Sequence, residues 1–178
     1  MEIFISKPDR KVYRVGDTII KEFMNYRDAM NEEWYLYYQD FNNRYNCMPD
    51  IIDFEPGHKI VMNYIPGYVL GNIRPTREII SHVVKLYSYF AEYSALIGKD
   101  YYHWDIHCDN MIIGDNDKLT LIDPDSISIN SPNGMQRAYA ELHQFIMSYL
   151  LKPCEDRYYD IWNERPKDSI NSLLRGKK

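Results

Sequence analysis

The sequence predicts an α+β protein in which a small antiparallel sheet carrying one helix precedes a mostly helical half. Two observations lead to this prediction. Short apolar runs separated by turn residues fill the chain as far as about residue 65, and beyond the Pro66-Gly67 pair apolar residues recur at intervals of three and four. A chain of 178 residues has the length of one domain. We therefore expect a single domain, residues 1–178, made of two parts.

Five apolar runs in the first part predict the strands of the sheet: IFI at 3–5, VYRV at 12–15, TIIKEF at 18–23, DIIDF at 50–54 and KIVMNYI at 59–65. Polar residues, glycine or proline separate neighbouring runs, as expected for tight turns. Residues 26–44 instead carry Met30, Trp34 and Phe41 at helical spacing. This segment therefore predicts the one helix of the sheet-containing part.

The second part begins with a long helix predicted from Thr76 to Ile97. Thr76 is a good N-cap, and Gly98 is suited to the left-handed conformation that ends a helix. Further helices are predicted over residues 135–151 and 155–174. Between the long helix and residue 135, the pattern predicts a polar loop followed by a short hairpin that ends at Asp123.

The composition excludes several classes of protein. Acidic residues outnumber basic ones by 26 to 21, giving a net charge of −5, which argues against a polycationic nucleic-acid binder. No run approaches the roughly eighteen apolar residues of a membrane span, and the three cysteines lack the C-x-x-C spacing typical of zinc sites. We expect a cytoplasmic protein with neither a nucleic-acid nor a membrane partner. The 17 tyrosines are expected either to fill the core or to form a Tyr-rich surface for a protein partner.

The densest group of polar residues lies in the loop before the predicted hairpin. His103, Asp105, His107 and Asn110 follow one another closely, and Asp123 comes at the end of the hairpin. Amide and carboxylate oxygens are hard ligands of the kind that a metal triphosphate requires, and Asn110 and Asp123 supply two of them. Asp105 is then left to orient an attacking hydroxyl. The cluster therefore predicts phosphoryl transfer.

The motif H-x-D-x-x-x-x-N, followed by an aspartate after an apolar strand, resembles the catalytic loop and metal-binding segment of protein kinases. The segment from Asp105 to Asn110 is similar to the D-x-H-x-x-N of aminoglycoside and choline phosphotransferases, which share that fold. Asp123-Pro124-Asp125, in place of Asp-Phe-Gly, resembles small kinase-like proteins encoded by bacteriophages. The resemblance covers about residues 3–150. It implies a two-lobed protein kinase-like fold with an N-lobe at about 1–65, a hinge at about 62–67 and a truncated, mostly helical C-lobe at about 68–178.

The resemblance also implies the site and its cofactors, ATP and Mg²⁺. Lys21 in the third strand corresponds to the lysine that pairs with phosphates, and Glu33, or alternatively Glu32, to its ion-pair partner in the following helix. Met62 and Tyr64 would form the hinge against which the adenine stacks. Asp105, Lys21 and Asn110 form the implied catalytic set, and Asn110 and Asp123 are the implied metal ligands. His103 and His107 would hold the shape of the loop, and Glu141 would anchor its backbone.

Two features depart from the kinase pattern. Kinases cover the triphosphate with a glycine-rich loop, because glycine lets backbone amides approach the phosphates. The corresponding turn here, residues 6–10, contains no glycine, so either Lys7 or Arg10 substitutes its charge or the nucleotide is held loosely. Asp125 is expected to be either a second carboxylate near the metal or an ordinary turn residue.

The function expected from these features is that of an ATP- and Mg²⁺-dependent serine/threonine protein kinase of minimal size, acting on a protein substrate in the cytoplasm, or in a host cytoplasm if the chain is phage-encoded. A truncated C-lobe favours a protein substrate, because a small molecule needs a walled pocket. The D-x-H-x-x-N loop favours the alternative, a small-molecule phosphotransferase. A third hypothesis is a pseudokinase that acts as a binding module. A site that has lost activity usually loses its base or metal ligands, so the presence of Asp105, Asn110 and Asp123 favours catalysis.

Overall fold

The computed structural model describes residues 2–73, 76–105, 107–114 and 117–130, together with 136, 139–140 and 142–144. The chain divides into two compact units. The first extends to Pro66 and also includes Thr120–Asp125, and the second contains Gly67–Leu119 and the chain from Ser126 onward. Thr120–Asp125 is therefore grouped with the N-terminal sheet, although it follows Leu119 in the sequence.

The first unit contains a five-stranded antiparallel sheet of order β1-β2-β3-β5-β4, which confirms the predicted sheet. Its strands are β1 (Glu2–Ser6), β2 (Arg10–Val15), β3 (Thr18–Phe23), β4 (Ile51–Glu55) and β5 (Lys59–Asn63). The single helix between β3 and β4 is α1 (Glu32–Tyr45). Aromatic side chains of α1 pack on the sheet, with the Trp34 ring centroid 5.5 Å from that of Phe54.

Helix α1 begins six residues later than the predicted start at Tyr26. Asn31 caps it, because its side-chain oxygen accepts a hydrogen bond from the backbone N–H of Trp34 at 3.0 Å. The preceding residues are held by the turn between β4 and β5. Arg27 N donates to Gly57 O at 3.0 Å, and Gly57 N donates to Met30 O at 2.8 Å. These backbone bonds keep the segment from joining the helix.

In the second unit, the main helix is α2 (Arg77–Ile97), as predicted. The Thr76 hydroxyl accepts from Ile79 N at 3.2 Å, and Gly98 ends the helix with a φ of 66°. Buried tyrosines line this part of the core, among them Tyr87, Tyr93 and Tyr101. Tyrosine therefore fills the core here, although Tyr26, Tyr68 and Tyr139 are exposed.

The remaining described strands are short. β7 (Tyr101–His103) pairs antiparallel with β10 (Ile127–Ile129), and β6 (Tyr68–Val69) pairs with β8 (Met111–Ile113). β8 also neighbours β9 (Leu119–Leu121), which confirms the predicted hairpin. Short 3-10 turns occur at Leu70–Asn72, Cys108–Asn110 and Pro124–Ser126.

The two C-terminal helices predicted from the sequence lie largely outside the described residues, as does Glu141. Residues 136, 139–140 and 142–144 are helical, in agreement with the first of them. In the part of the chain that the structure describes, no helix has both the length and the apolar character needed to cross a membrane.

The N-cap of α2 provides a test of the second unit. Thr76→Ala removes the oxygen that accepts from Ile79 N, and should lower the free energy of unfolding by about 1 kcal/mol. Thr76→Ser keeps that oxygen and should stay close to the wild type. Urea denaturation of the three proteins measures the difference. Equal losses in both variants would show that the hydroxyl does not cap the helix.

Candidate active site

Four charged side chains of the first unit form what we call the buried ion cluster: Arg10, Lys21, Asp123 and Asp125. The Lys21 ammonium donates to Oδ1 of Asp123 and to Oδ1 of Asp125, and its side chain is only 4% exposed. Arg10 Nη1 lies 3.8 Å from Oδ2 of Asp125. A buried ammonium is tolerated only when it is paired, so the two aspartates are what allow Lys21 to lie in the core.

The backbone positions the acids of this cluster. Leu121 N donates to Cys47 O at 2.9 Å, which fixes the end of β9 to the segment that follows α1. Asp123 then adopts a φ of 74°, in the left-handed region that is uncommon for residues other than glycine. A 3-10 turn at Pro124–Ser126 follows. The left-handed residue reverses the chain so that the carboxylates of both Asp123 and Asp125 reach Lys21.

The charges of the cluster shift each other's titration. Burial by itself would lower the pKa of Lys21, but the negative charges of Asp125 and Asp123 outweigh that effect and raise it. Burial raises the pKa of Asp125, and repulsion from Asp123 adds to the rise, while Lys21 opposes it. The cluster therefore favours the charged form of Lys21, whereas it makes Asp125 easier to protonate than an exposed aspartate.

A second group, the polar loop of His103, Asp105, His107 and Asn110, belongs to the other unit. His103 is fully buried, and its Nδ1 accepts from Asp105 N at 3.3 Å. His107 caps the 3-10 turn at Cys108–Asn110, because its Nδ1 accepts from the backbone N–H of the second residue after it at 3.3 Å. Both histidines thus accept hydrogen bonds from backbone N–H groups of the loop.

The carboxylate of Asp105 is held from one side. Asn110 Nδ2 donates to its Oδ2 at 3.2 Å and to its backbone oxygen at 3.0 Å. His107 Nε2 faces the same Oδ2 at 3.5 Å. Because Nδ1 of that ring accepts a hydrogen bond, the network assigns the proton of the neutral ring to Nε2. Among the described residues, no donor contacts Oδ1 of Asp105, whose side chain is 37% exposed.

The structure brings Lys21 together with Asp123, and Asp105 together with Asn110. The acid that completes the Lys21 site is Asp125, which the sequence left open between a site carboxylate and a turn residue. Glu33, the predicted ion-pair partner of Lys21, lies exposed in the first turn of α1. The pairing of Glu33 with Lys21 stays a prediction.

The two predicted hinge residues lie at the end of β5. Met62 is 5% exposed and pairs with Ile19 in β3 and with Ile51 in β4. Tyr64 follows the strand, and the Arg14 guanidinium lies 3.6 Å from the centroid of its ring. Arg14 was not predicted, because its position over the ring depends on the pairing of β2, β3 and β5. One face of the Tyr64 ring is therefore covered, and adenine stacking near it stays a prediction.

The oxygen atoms of the side chains present suit a magnesium ion that is shared with a nucleotide better than an ion held by protein alone. Within the described ranges, no three His, Cys, Asp or Glu side chains form a chelating group. Mg²⁺ is usually held by one or two carboxylates together with substrate phosphates. Asp123 carries such a carboxylate, and Asn110 makes its contacts to Asp105 through Nδ2 and not through its side-chain oxygen.

Comparison with known proteins supports a kinase-like fold. No family model and no curated protein matches the sequence. A structure of WbdD with the kinase inhibitor LY294002 superimposes on 97% of this chain with a TM-score of 0.57 at 14% identity. A structure described as the bifunctional kinase-methyltransferase WbdD covers 96% of the chain with a TM-score of 0.54 at 16% identity. The chain spans 45% and 43% of the length of those two WbdD chains. The similarity shows the fold.

The raised pKa of Asp125 predicts a pH dependence of stability. A carboxyl whose pKa is higher in the folded than in the unfolded protein binds protons more tightly when folded, so its contribution to stability falls as the pH rises above about 4. Asp125→Asn removes this contribution. The unfolding free energy of the variant, minus that of the wild type, should therefore increase as the pH is raised from about 4 towards neutrality. Urea denaturation across this range measures it, and a difference that decreases with pH would contradict the assignment.

Proposed function

We propose that this protein is an ATP- and Mg²⁺-dependent phosphotransferase that transfers a phosphoryl group to a hydroxyl. The observation that carries the proposal is the buried ion cluster, in which an almost fully buried Lys21 meets Asp123, a residue in a left-handed conformation, within a kinase-like fold. Aspartate enters the left-handed region more readily than most residues, so the burial of the charged pair, and not the backbone alone, supports the proposal.

The proposed roles follow from the contacts of each side chain. Lys21 exchanges a carboxylate partner for phosphate oxygens, which also accept charge-assisted hydrogen bonds from an ammonium. Asp123 and Asn110 would provide oxygen ligands for the metal, and they lie at the two ends of segment 110–123 in the sequence. When bound, the metal nucleotide supplies the phosphoryl group and offsets its negative charge.

Asp105 is the proposed residue that orients the attacking hydroxyl. His107 and Asn110 hold its Oδ2, which directs Oδ1 away from the loop's own donors. Oδ1 can therefore accept the hydrogen bond of an acceptor hydroxyl and take its proton as the new oxygen–phosphorus bond forms. The intact set of contacts favours catalysis over a pseudokinase, whose site would not need an oriented carboxylate.

The acceptor that we propose is a serine or threonine hydroxyl of a protein. More than a third of the Asp105 side chain is exposed, so a protein segment can approach it. The alternative acceptor is a small-molecule hydroxyl, which the D-x-H-x-x-N sequence of the loop favours. Incubation with γ-labelled ATP and Mg²⁺, with and without cell lysate, distinguishes the two by the size of the labelled product. The absence of any labelled product would remove the proposed activity.

Replacing the proposed base tests the mechanism. Asp105→Asn should lower kcat by about a hundredfold or more while leaving ATP affinity unchanged, because it removes an interaction with the acceptor hydroxyl alone. Asp109→Asn is the matched control, since its side chain is 75% exposed in the same loop. Label transfer gives kcat, and calorimetry gives the affinity. If ATP affinity fell as steeply as kcat, Asp105 would belong with the nucleotide ligands.

Replacing the proposed metal ligand tests the other half of the mechanism. Asp123→Ala should abolish the Mg²⁺ dependence of ATP binding, because the metal loses its carboxylate, and transfer should be lost with it. Asp123→Asn keeps the shape and a neutral oxygen, and should retain a weak metal dependence. Calorimetry with Mg²⁺ and with a chelator measures both. Metal-dependent binding as strong as in the wild type would show that Asp123 only pairs with Lys21.

A further inference from the structure

Arg10 is the least satisfied member of the buried ion cluster. It is the first residue of β2 and the last residue of the glycine-free turn at residues 6–10. Its only ion pair among the described residues is the 3.8 Å contact to Asp125, which is long for a charged hydrogen bond. Its Nε is buried and has no hydrogen-bond partner in that part of the chain. A buried donor left unpaired is costly, and so calls for an explanation.

The register of the sheet places Arg10 beside Lys21. Arg10 is paired with Phe23, and Val12 is paired with Lys21. Residues opposite each other in antiparallel strands project to the same face, and so do residues two apart in one strand. Arg10 and Lys21 therefore lie diagonally on one face of the sheet. Both reach the same carboxylate, because Lys21 contacts Oδ1 of Asp125 and Arg10 lies near its Oδ2.

The backbone of the glycine-free turn is already engaged at two points. Lys7 N already donates to Arg10 O at 2.9 Å and so closes the turn. Asp9 is tied to the chain after β3, since its backbone oxygen accepts from Met24 N at 2.9 Å. A guanidinium presents its donors as a planar fork that matches two oxygens of one phosphate. Arg10 therefore has the geometry that the turn lacks.

We propose that Arg10 and Lys21 together bind the phosphate chain of the nucleotide, and that the Asp125 carboxylate holds both cations until the phosphates replace it. This inference rests on the proposed function and assigns a residue to its phosphate site. A phosphate group would give Arg10 the hydrogen bonds that it lacks in the present arrangement. In this proposal Asp123 is a ligand of the metal, so Asp125 is the carboxylate that the phosphates displace.

The test compares two variants with the same change of charge. Arg10→Gln removes the guanidinium, and Lys11→Gln removes the neighbouring charge, which is exposed and projects from the opposite face of β2. Calorimetry with ATP and Mg²⁺ at constant ionic strength should show affinity reduced about tenfold or more for Arg10→Gln, because charge-assisted hydrogen bonds are lost. Adenosine affinity should stay within about twofold, and Lys11→Gln should match the wild type for both ligands. Arg10→Lys, which keeps the charge without the fork, should fall between Arg10→Gln and the wild type.

Each result supports or overturns the assignment. If ATP binds the wild type but Arg10→Gln and Lys11→Gln show the same affinity, Arg10 is not a phosphate ligand, and the proposed function still stands. Equal losses for adenosine and ATP would show a structural effect and would also overturn the inference. If ATP does not bind the wild type, the proposed function and this inference both fail. Should Arg10→Gln not fold, as judged by circular dichroism, Arg10→Lys decides by the same comparison.

Asp125→Asn tests the second half of the proposal. With a chelator present to remove the metal, the variant should bind ATP several-fold more tightly than the wild type, because no carboxylate competes with the phosphates for Arg10 and Lys21. Tighter binding without metal would support a carboxylate that occupies the phosphate position. Weaker or equal binding would show that Asp125 supports the two cations and is not displaced, and would overturn this half.

Discussion

The contact of the Lys21 ammonium with Asp123 and Asp125 is the interaction on which the first unit depends. It joins residues separated by 102 and 104 positions in the chain, and it fixes Thr120–Asp125 to the N-terminal sheet. Removing one partner of a buried charge pair typically costs about 3–5 kcal/mol, because the remaining charge stays in the core unpaired. One of the two acids in this contact, Asp123, has a backbone in the left-handed conformation. The same contact that organises the first unit thus holds one cation and two acids together.

The protein holds its aspartates in two different environments, and this difference separates their proposed tasks. Asp123 and Asp125 lie largely buried next to Lys21, and each forms an ion pair with its ammonium. Asp105 is held by the amide of Asn110 and faces the ring of His107, and more than a third of its side chain is exposed. A carboxylate in the first environment suits a ligand for a cation. A carboxylate in the second suits a group that receives a proton from an incoming hydroxyl, because one oxygen is fixed and the other is open.

The features that local sequence encodes could be predicted, and those that depend on distant pairing could not. The strands, the turns and the ends of α2 follow from alternation, turn residues, Thr76 and Gly98. The late start of α1 could not be read from its sequence, because the bonds of the preceding residues to Gly57 come from a turn far along the chain. The resemblance to kinases predicts Lys21 and Asp123 as residues of one site. Their grouping with Asp125 and Arg10 required the register of β2 with β3 and the reversed backbone at Asp123.

The central claim is that the Lys21 site receives the phosphates of a metal nucleotide. A crystal structure of the wild-type protein with Mg²⁺ and a non-hydrolysable ATP analogue tests it most directly. The account predicts a phosphate oxygen within hydrogen-bond distance of Lys21 Nζ and the metal ion on the carboxylate of Asp123. A nucleotide bound elsewhere, with Lys21 still held between Asp123 and Asp125, would contradict it.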